Sequence, residues 1–227
     1  MNALKILPYL AVLAFAIPVF SFNPVAARQG MVVSSEPLAS AAGLEILRAG
    51  GNAVDAAVAV GFALAVTHPE AGNIGGGGFM LIRRADGDSI VVDYREEAPA
   101  AASRNMFQDA RGELIPESST VGALAAGVPG TVAGLALAHR KYGKLPWARV
   151  LRPAIRLAET GFPVSYELSE SLRADRELLS KFAESRRIFL HNGKFYQPGE
   201  VFRQPELART LRQIAVGGPA VFYRGPI

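Results

Sequence analysis

A short run of charged residues is the part of the sequence best suited to chemistry: Asp93, Arg95, Glu96 and Glu97. An arginine can bind a carboxylate through two parallel hydrogen bonds, and paired carboxylates can act as general acid and base. A solvated strand end would carry the same residues without any chemical role. Residue types and spacing alone leave both interpretations open.

Four consecutive glycines, Gly75 to Gly78, are a second candidate site. Backbone N–H groups in a glycine loop can approach an anion. However, the phosphate-loop pattern is missing, since Leu145 follows Gly143-Lys144, and the glycine run leads into a predicted strand rather than a helix. We therefore expect a tight bend between packed layers that tolerates no Cβ.

Possible nucleophiles and bases occur singly. Ser34, Ser35, Thr131 and His68 are predicted to be caps or packing residues, because no histidine or lysine lies beside the hydroxyls in a recognisable motif. The 227-residue chain has 0 cysteines and 3 separated histidines, which disfavours disulfides, thiolate chemistry and a metal site. The net charge of +4 is scattered, so we expect no nucleic-acid partner, and no cofactor is predicted.

Elements that position these residues follow from apolar spacing and from proline, glycine and cap signals. A hairpin is predicted from strands at 79–83 and 90–94 around Asp86-Gly87, which sets the charged cluster at a strand end. A second hairpin is predicted from 188–191 and 194–196 around Asn192-Gly193. The predicted helices are 37–47, 53–66, 131–142, 146–161, 165–182 and a last one from Pro205 to Gly217. Apart from Asp55, the helix at 53–66 is apolar on every side and should be buried.

The first residues resemble an export signal. Lys5 precedes an apolar stretch from Ile6 to Phe22, and small residues follow at Val25-Ala26-Ala27. We predict a cleaved signal peptide over residues 1–27 and a mature chain over 28–227. The apolar stretch is shorter than a typical membrane span, and an uncleaved anchor is the alternative. The expected location is periplasmic or secreted, with membrane contact only through the leader.

Several motifs resemble the gamma-glutamyltranspeptidase (glutathione hydrolase) family. They are the segments 30–35 (GMVVSS), 49–59 (AGGNAVDAAVA), 72–80 (GNIGGGGFM), 93–99 (DYREEAP) and 127–134 (GVPGTVAG). The similarity runs through essentially all of the mature sequence. It implies an α+β fold, part of the αββα sandwich of an N-terminal-nucleophile (Ntn) hydrolase, made as a precursor that cleaves itself.

The resemblance also implies a mechanism. A threonine at the start of the small subunit attacks a γ-glutamyl amide, with its own α-amine as the base. The acyl-enzyme then passes to water or to an amino acid or peptide acceptor. The donor would be glutathione or another γ-glutamyl compound. In the family, the arginine of the Asp-aromatic-Arg-Glu motif binds the α-carboxylate of the γ-glutamyl group, which is Arg95 here. Asp93 and Glu96 would help to orient it.

The threonine context needed for self-cleavage is absent, since none of Thr67, Thr120, Thr131, Thr160 and Thr210 lies in it. We therefore expect no catalytic residue in this chain, which would be an incomplete domain from the large subunit that needs a missing small subunit. The alternatives are a non-catalytic remnant that pairs with a separate partner, or a related acylase for cephalosporin side chains or poly-γ-glutamate. An incomplete sandwich would leave apolar surface uncovered, so low solubility or partner dependence is expected.

Overall fold

The computed structural model describes residues 24–227, so the predicted cleaved leader lies largely outside the described residues. Two units follow each other along the chain, with their boundary between Met31 and Val32. Residues 24–31 contain no helix or strand. The second unit, Val32–Ile227, contains every helix and strand named below. Within residues 24–227, no helix is both long and apolar enough to cross a lipid bilayer.

Two helices joined by a glycine turn form the start of the core. Helix α1 spans Pro37–Arg48, and α2 spans Ala53–Thr67. Gly50 has a φ of 90°, which ends α1 as predicted. Asn52 then caps α2, because its Oδ1 accepts hydrogen bonds from the N–H groups of Val54 and Asp55 at 3.0 Å. Most of α2 is buried, as predicted from a sequence that is apolar over residues 53–66 apart from Asp55.

A β-hairpin follows α2. Strand β1 (Phe79–Arg83) pairs antiparallel with β2 (Ser89–Asp93), and the register joins Phe79 to Asp93. Side chains alternate between the two faces. Met80, Ile82 and Val92 pack against the hydrophobic core. Phe79, Leu81 and Val91 point to the opposite face and are 58%, 72% and 62% exposed.

The remaining helices complete the core around α2. Helix α3 spans Thr131–Tyr142 and α4 spans Trp147–Thr160, close to the predicted bounds. Strands β3 (Phe162–Pro163) and β4 (Val201–Phe202) form a second antiparallel pair. Helix α8 (Pro205–Gly217) packs against α4. The remaining helices are α5 (Tyr166–Ala174), α6 (Arg176–Ser180), α7 (Ala183–Phe189), α8 (Pro205–Gly217) and α9 (Ala220–Tyr223).

Three predictions about this second half need correction. The predicted helix 165–182 is interrupted at Asp175, between α5 and α6. The helix from Pro205 is followed by the short α9. The predicted hairpin around Asn192-Gly193 is wrong, because residues 183–189 are helical and His191–Gly193 form a 3-10 turn. The Tyr196 carbonyl accepts a hydrogen bond from Ser169 Oγ at 2.7 Å, so it pairs with a side chain of α5 rather than with the backbone of a neighbouring strand.

Candidate functional site

Arg95 lies just beyond the end of β2, as the hairpin pattern predicts. The N–H of Tyr94 donates to the Gly78 carbonyl at 3.0 Å, which continues the hairpin pairing past Asp93. The chain then turns, because Asp93 Oδ1 accepts a hydrogen bond from the Arg95 N–H at 3.0 Å. Asp93 therefore contacts the Arg95 backbone rather than its guanidinium, and through it fixes the direction in which the chain leaves the strand.

The Arg95 side chain is exposed. Within residues 24–227, no carboxylate forms an ion pair with its guanidinium. By contrast, Arg84, at the other end of the hairpin, lies 2.6 Å from Asp86. Among residues 24–227, nothing pairs with the Arg95 guanidinium, which leaves its hydrogen-bonding groups open to a ligand in this part of the chain.

A cavity of about 430 Å³ lies beside this strand end. Its volume falls in the range typical of small-molecule sites. The polar part of its wall comes from Arg95, Glu96 and Glu97, and the remainder is mainly apolar: Ala98, Pro99, Met106, Phe107, Leu124, Ala125, Ala126 and Gly127. One arginine and two glutamates thus share the wall with apolar residues, an arrangement that can accommodate a small ligand with charges of both signs.

The loop that supplies the apolar wall is closed at its base by backbone hydrogen bonds. The Val128 N–H donates to the Glu97 carbonyl at 2.8 Å, and the Glu97 N–H donates to the Val128 carbonyl at 3.2 Å. Residues 98–127 therefore start and end beside each other, next to Arg95. The loop has no regular apolar period, so its place in the site could not be predicted from the sequence.

Tyr94 packs against α3 and so anchors the end of the strand. Its ring is half-buried, and burial raises the pKa of its hydroxyl above the ordinary value. A Cβ on Gly134, in α3, would lie 2.1 Å from Tyr94 Cβ, and a Cβ on Gly130 would lie 1.9 Å from the Tyr94 carbonyl oxygen. Only glycine allows α3 to approach this closely. Glycines four residues apart share one helix face, so the Gly130–Gly134 spacing was a signal that sequence reasoning missed.

The glycine run packs as a tight bend, as expected for three of its four members. A Cβ on Gly76 would lie 2.6 Å from the Asn73 side chain, and one on Gly77 would lie 2.6 Å from the Tyr94 carbonyl oxygen. A Cβ on Gly78 would lie 3.0 Å from the Tyr94 ring. Gly75 has open space. The run thus lets the 73–78 loop lie directly against the segment that carries Arg95.

The other candidate residues lie apart from this cavity and have structural contacts. His68 follows α2, and its Nδ1 lies 3.4 Å from Glu70 Oε1. Ser34 Oγ donates to the Glu36 carbonyl at 2.8 Å. Thr131 is buried, and its hydroxyl donates to Asn73 Oδ1 at 2.8 Å. Among residues 24–227, no group of three or more His, Cys, Asp or Glu side chains is placed to hold a metal ion.

Comparison with known proteins decides the family. Residues 39–227 match the family model described as gamma-glutamyltranspeptidase. The chain belongs to the gamma-glutamyltranspeptidase family. It is 49% identical over 207 residues to a glutathione hydrolase proenzyme of Escherichia coli strain K12; this covers 91% of the chain but 36% of the relative. The chain therefore spans little more than a third of the length of that glutathione hydrolase proenzyme.

Solved structures agree with this assignment. A gamma-glutamyltranspeptidase from Helicobacter pylori superposes with a TM-score of 0.86 at 47% identity, over 90% of this chain and 59% of that chain. A cephalosporin acylase from Bacillus halodurans superposes with a TM-score of 0.76 at 33% identity, over 90% and 40% of the two chains. The predicted α+β class is confirmed, and the chain forms part of an Ntn-hydrolase fold.

Proposed function

We propose that this chain is the part of a γ-glutamyl-transferring hydrolase that binds the donor, with Arg95 as the ligand of the donor's α-carboxylate. The supporting observation is an exposed guanidinium at a fixed strand end that lines a cavity and has no carboxylate partner among residues 24–227. A guanidinium matches a carboxylate in a planar, two-bond pair, whereas a lysine offers only a point charge.

The reaction itself needs groups that we assign to polypeptide outside this chain. A threonine exposed by self-cleavage of a precursor attacks the γ-glutamyl amide carbon, and the amine leaves with a proton. Water or the amine of an amino acid or peptide then attacks the acyl-threonine ester and restores the hydroxyl. Glutathione is the expected donor, and the small subunit the expected partner. The leader supports a periplasmic or secreted location.

A γ-glutamyl donor is favoured over a cephalosporin side chain. Identity to the glutathione hydrolase and to the H. pylori transpeptidase is 49% and 47%, against 33% to the acylase. The cavity chemistry points the same way, because an arginine beside two glutamates suits a headgroup with both a carboxylate and an ammonium.

The proposal is tested in a hybrid enzyme in which this chain replaces the matching 207 residues of the E. coli proenzyme. We expect the hybrid to cleave itself and to release the anilide from γ-glutamyl-p-nitroanilide. Loss of one charge-assisted contact is worth about 1.5–3 kcal/mol, so Arg95→Ala should raise KM about 10- to 150-fold. Arg95→Lys should restore only part of that affinity.

Arg83→Ala is the matched control, because Arg83 is an exposed arginine of the same hairpin whose guanidinium, among residues 24–227, hydrogen-bonds only Ser89 Oγ. Its KM should equal that of the unmodified hybrid. A self-cleaved hybrid in which Arg95→Ala leaves KM unchanged would remove Arg95 from the donor site.

A further inference from the structure

A cluster of hydrogen bonds next to the Arg95 backbone connects three segments that are distant in sequence. Asn73 lies in the glycine loop, Thr131 begins α3, and the Tyr94–Glu96 segment carries Arg95. Asn73 Oδ1 accepts hydrogen bonds from the Gly76 N–H and from Thr131 Oγ1, each at 2.8 Å. A carbonyl oxygen has two lone pairs, so this contact uses the full accepting capacity of the Asn73 amide oxygen.

The carbonyl group of Gly76 is hydrogen-bonded as well as its N–H group. Its carbonyl accepts the N–H of Gly130 at 2.8 Å and the N–H of Thr131 at 3.0 Å. These are donors at the first turn of α3, where the helix offers no internal acceptors. The loop and the start of α3 therefore behave as one unit, with Asn73 and Thr131 joined across it.

That unit packs directly against the backbone of the Arg95 segment. The position where Gly77 would carry a Cβ is 2.6 Å from the Tyr94 carbonyl oxygen and 2.7 Å from the Glu96 N–H nitrogen, and the Cβ position of Gly130 is 3.1 Å from the Arg95 carbonyl oxygen. With contacts this close, a shift of the loop or of the α3 terminus moves the Arg95 backbone with it.

We propose that Asn73 and Thr131 are positioning residues for the donor site: their hydrogen bond fixes the glycine loop against α3 and thereby sets the orientation of Arg95. This inference rests on the proposed function. Neither side chain lines the Arg95 cavity, so both act through the backbone. Loss of either one should loosen the placement of the guanidinium without removing it, which weakens donor binding more than it slows the acyl-transfer steps.

The test uses paired variants in the hybrid enzyme. Thr131→Val removes the hydroxyl and keeps the shape, and Thr131→Ser keeps the hydroxyl. Asn73→Ala removes the accepting oxygen, and Asn73→Asp keeps it but loses the hydrogen bond that Asn73 Nδ2 donates to the Ala71 carbonyl at 3.3 Å. We expect Thr131→Val and Asn73→Ala to raise KM for γ-glutamyl-p-nitroanilide about fivefold or more with kcat within twofold. Thr131→Ser should stay within twofold of the parent in both constants, and the KM of Asn73→Asp should lie between those of Asn73→Ala and the parent. Thr160→Val, which removes an exposed helical hydroxyl bonded to Arg156 O, should change neither.

Two further readouts separate positioning from general stability. In the full 227-residue chain, Thr131→Val should speed amide exchange at residues 76–78 and 94–96 but not in α4. The double variant Asn73→Ala/Thr131→Val should be no worse than Asn73→Ala alone, because both changes break the same contact. If Thr131→Val does not fold, Asn73→Ala carries the test: its KM should rise about fivefold or more with kcat within twofold, and an unchanged KM would overturn the inference.

The inference is overturned if Arg95→Ala raises KM while Thr131→Val and Asn73→Ala do not. It is equally overturned if Thr131→Ser is as impaired as Thr131→Val. If Arg95→Ala itself leaves KM unchanged, the proposed function fails instead.

Discussion

Gly134 and Gly61 offer a matched test of how tightly α3 packs on the Arg95 segment. Both glycines lie inside helices, so replacement by alanine gains about 1 kcal/mol of helix propensity at each position. A Cβ at Gly134 would lie 2.1 Å from Tyr94 Cβ and 2.2 Å from Tyr94 Cγ. At Gly61 the nearest atom is Leu135 Cδ1 at 3.1 Å, the movable end of a flexible side chain.

The two substitutions should therefore differ in sign. Tyr94 cannot yield easily, because its backbone is paired with Gly78 on one side and faces α3 on the other. Overpacking of this kind costs about 1–3 kcal/mol, and a contact near 2 Å belongs at the upper end. Gly134→Ala should then lose about 2 kcal/mol net, whereas Gly61→Ala should be neutral or slightly stabilised.

Thermal unfolding of the full chain measures this difference. One kcal/mol corresponds to about 2–4 °C in Tm for a chain of this size, so Gly134→Ala should melt at least about 4–8 °C below Gly61→Ala. Equal melting temperatures for the two variants would refute the close packing of α3 on Tyr94, and with it the argument that the Arg95 segment is rigidly held.

Two other predictions concern stability and surface. Asp55 is fully buried, and its carboxylate accepts hydrogen bonds from the N–H groups of Asn52 at 2.9 Å and Lys144 at 3.0 Å. Asp55→Asn should lower the free energy of unfolding by about 1.5–3 kcal/mol, because hydrogen bonds to a charged acceptor are lost. An unchanged urea midpoint would contradict this. The outer face of the hairpin is apolar and exposed, so Leu81→Lys and Val91→Lys should reduce light scattering by the expressed chain. Each should change the free energy of unfolding by less than about 0.5 kcal/mol. A clear loss of stability would show that this face is already packed.

Local signals in the sequence were sufficient for the elements that have strong caps or turns. Asn52 before an apolar stretch predicted the start of α2, and Asp86-Gly87 between apolar strands predicted the first hairpin. The same reasoning failed at Asn192-Gly193, where short apolar runs do not distinguish a strand from a helix. There, an ion pair between Glu184 and Arg187 at 2.7 Å supports α7 instead.

The site was predictable only in part. Arg95 came from the family motif, and its place at a strand end came from the hairpin pattern. The contact between Asn73 and Thr131 joins residues 58 positions apart, and no local pattern reports such a pair. The loop wall of the cavity was missed for the same reason, since its shape depends on the backbone bridge between Glu97 and Val128.

The most direct measurement of the central claim compares two donors in the hybrid enzyme: γ-glutamyl-p-nitroanilide and its α-carboxamide, which lacks the negative charge. If the Arg95 guanidinium binds the α-carboxylate, the parent should favour the carboxylate by about 10- to 150-fold in kcat/KM, and Arg95→Ala should lose most of that preference while its rate on the carboxamide stays nearly the same. A preference that survives unchanged in Arg95→Ala would contradict the claim and assign recognition of the carboxylate to another group.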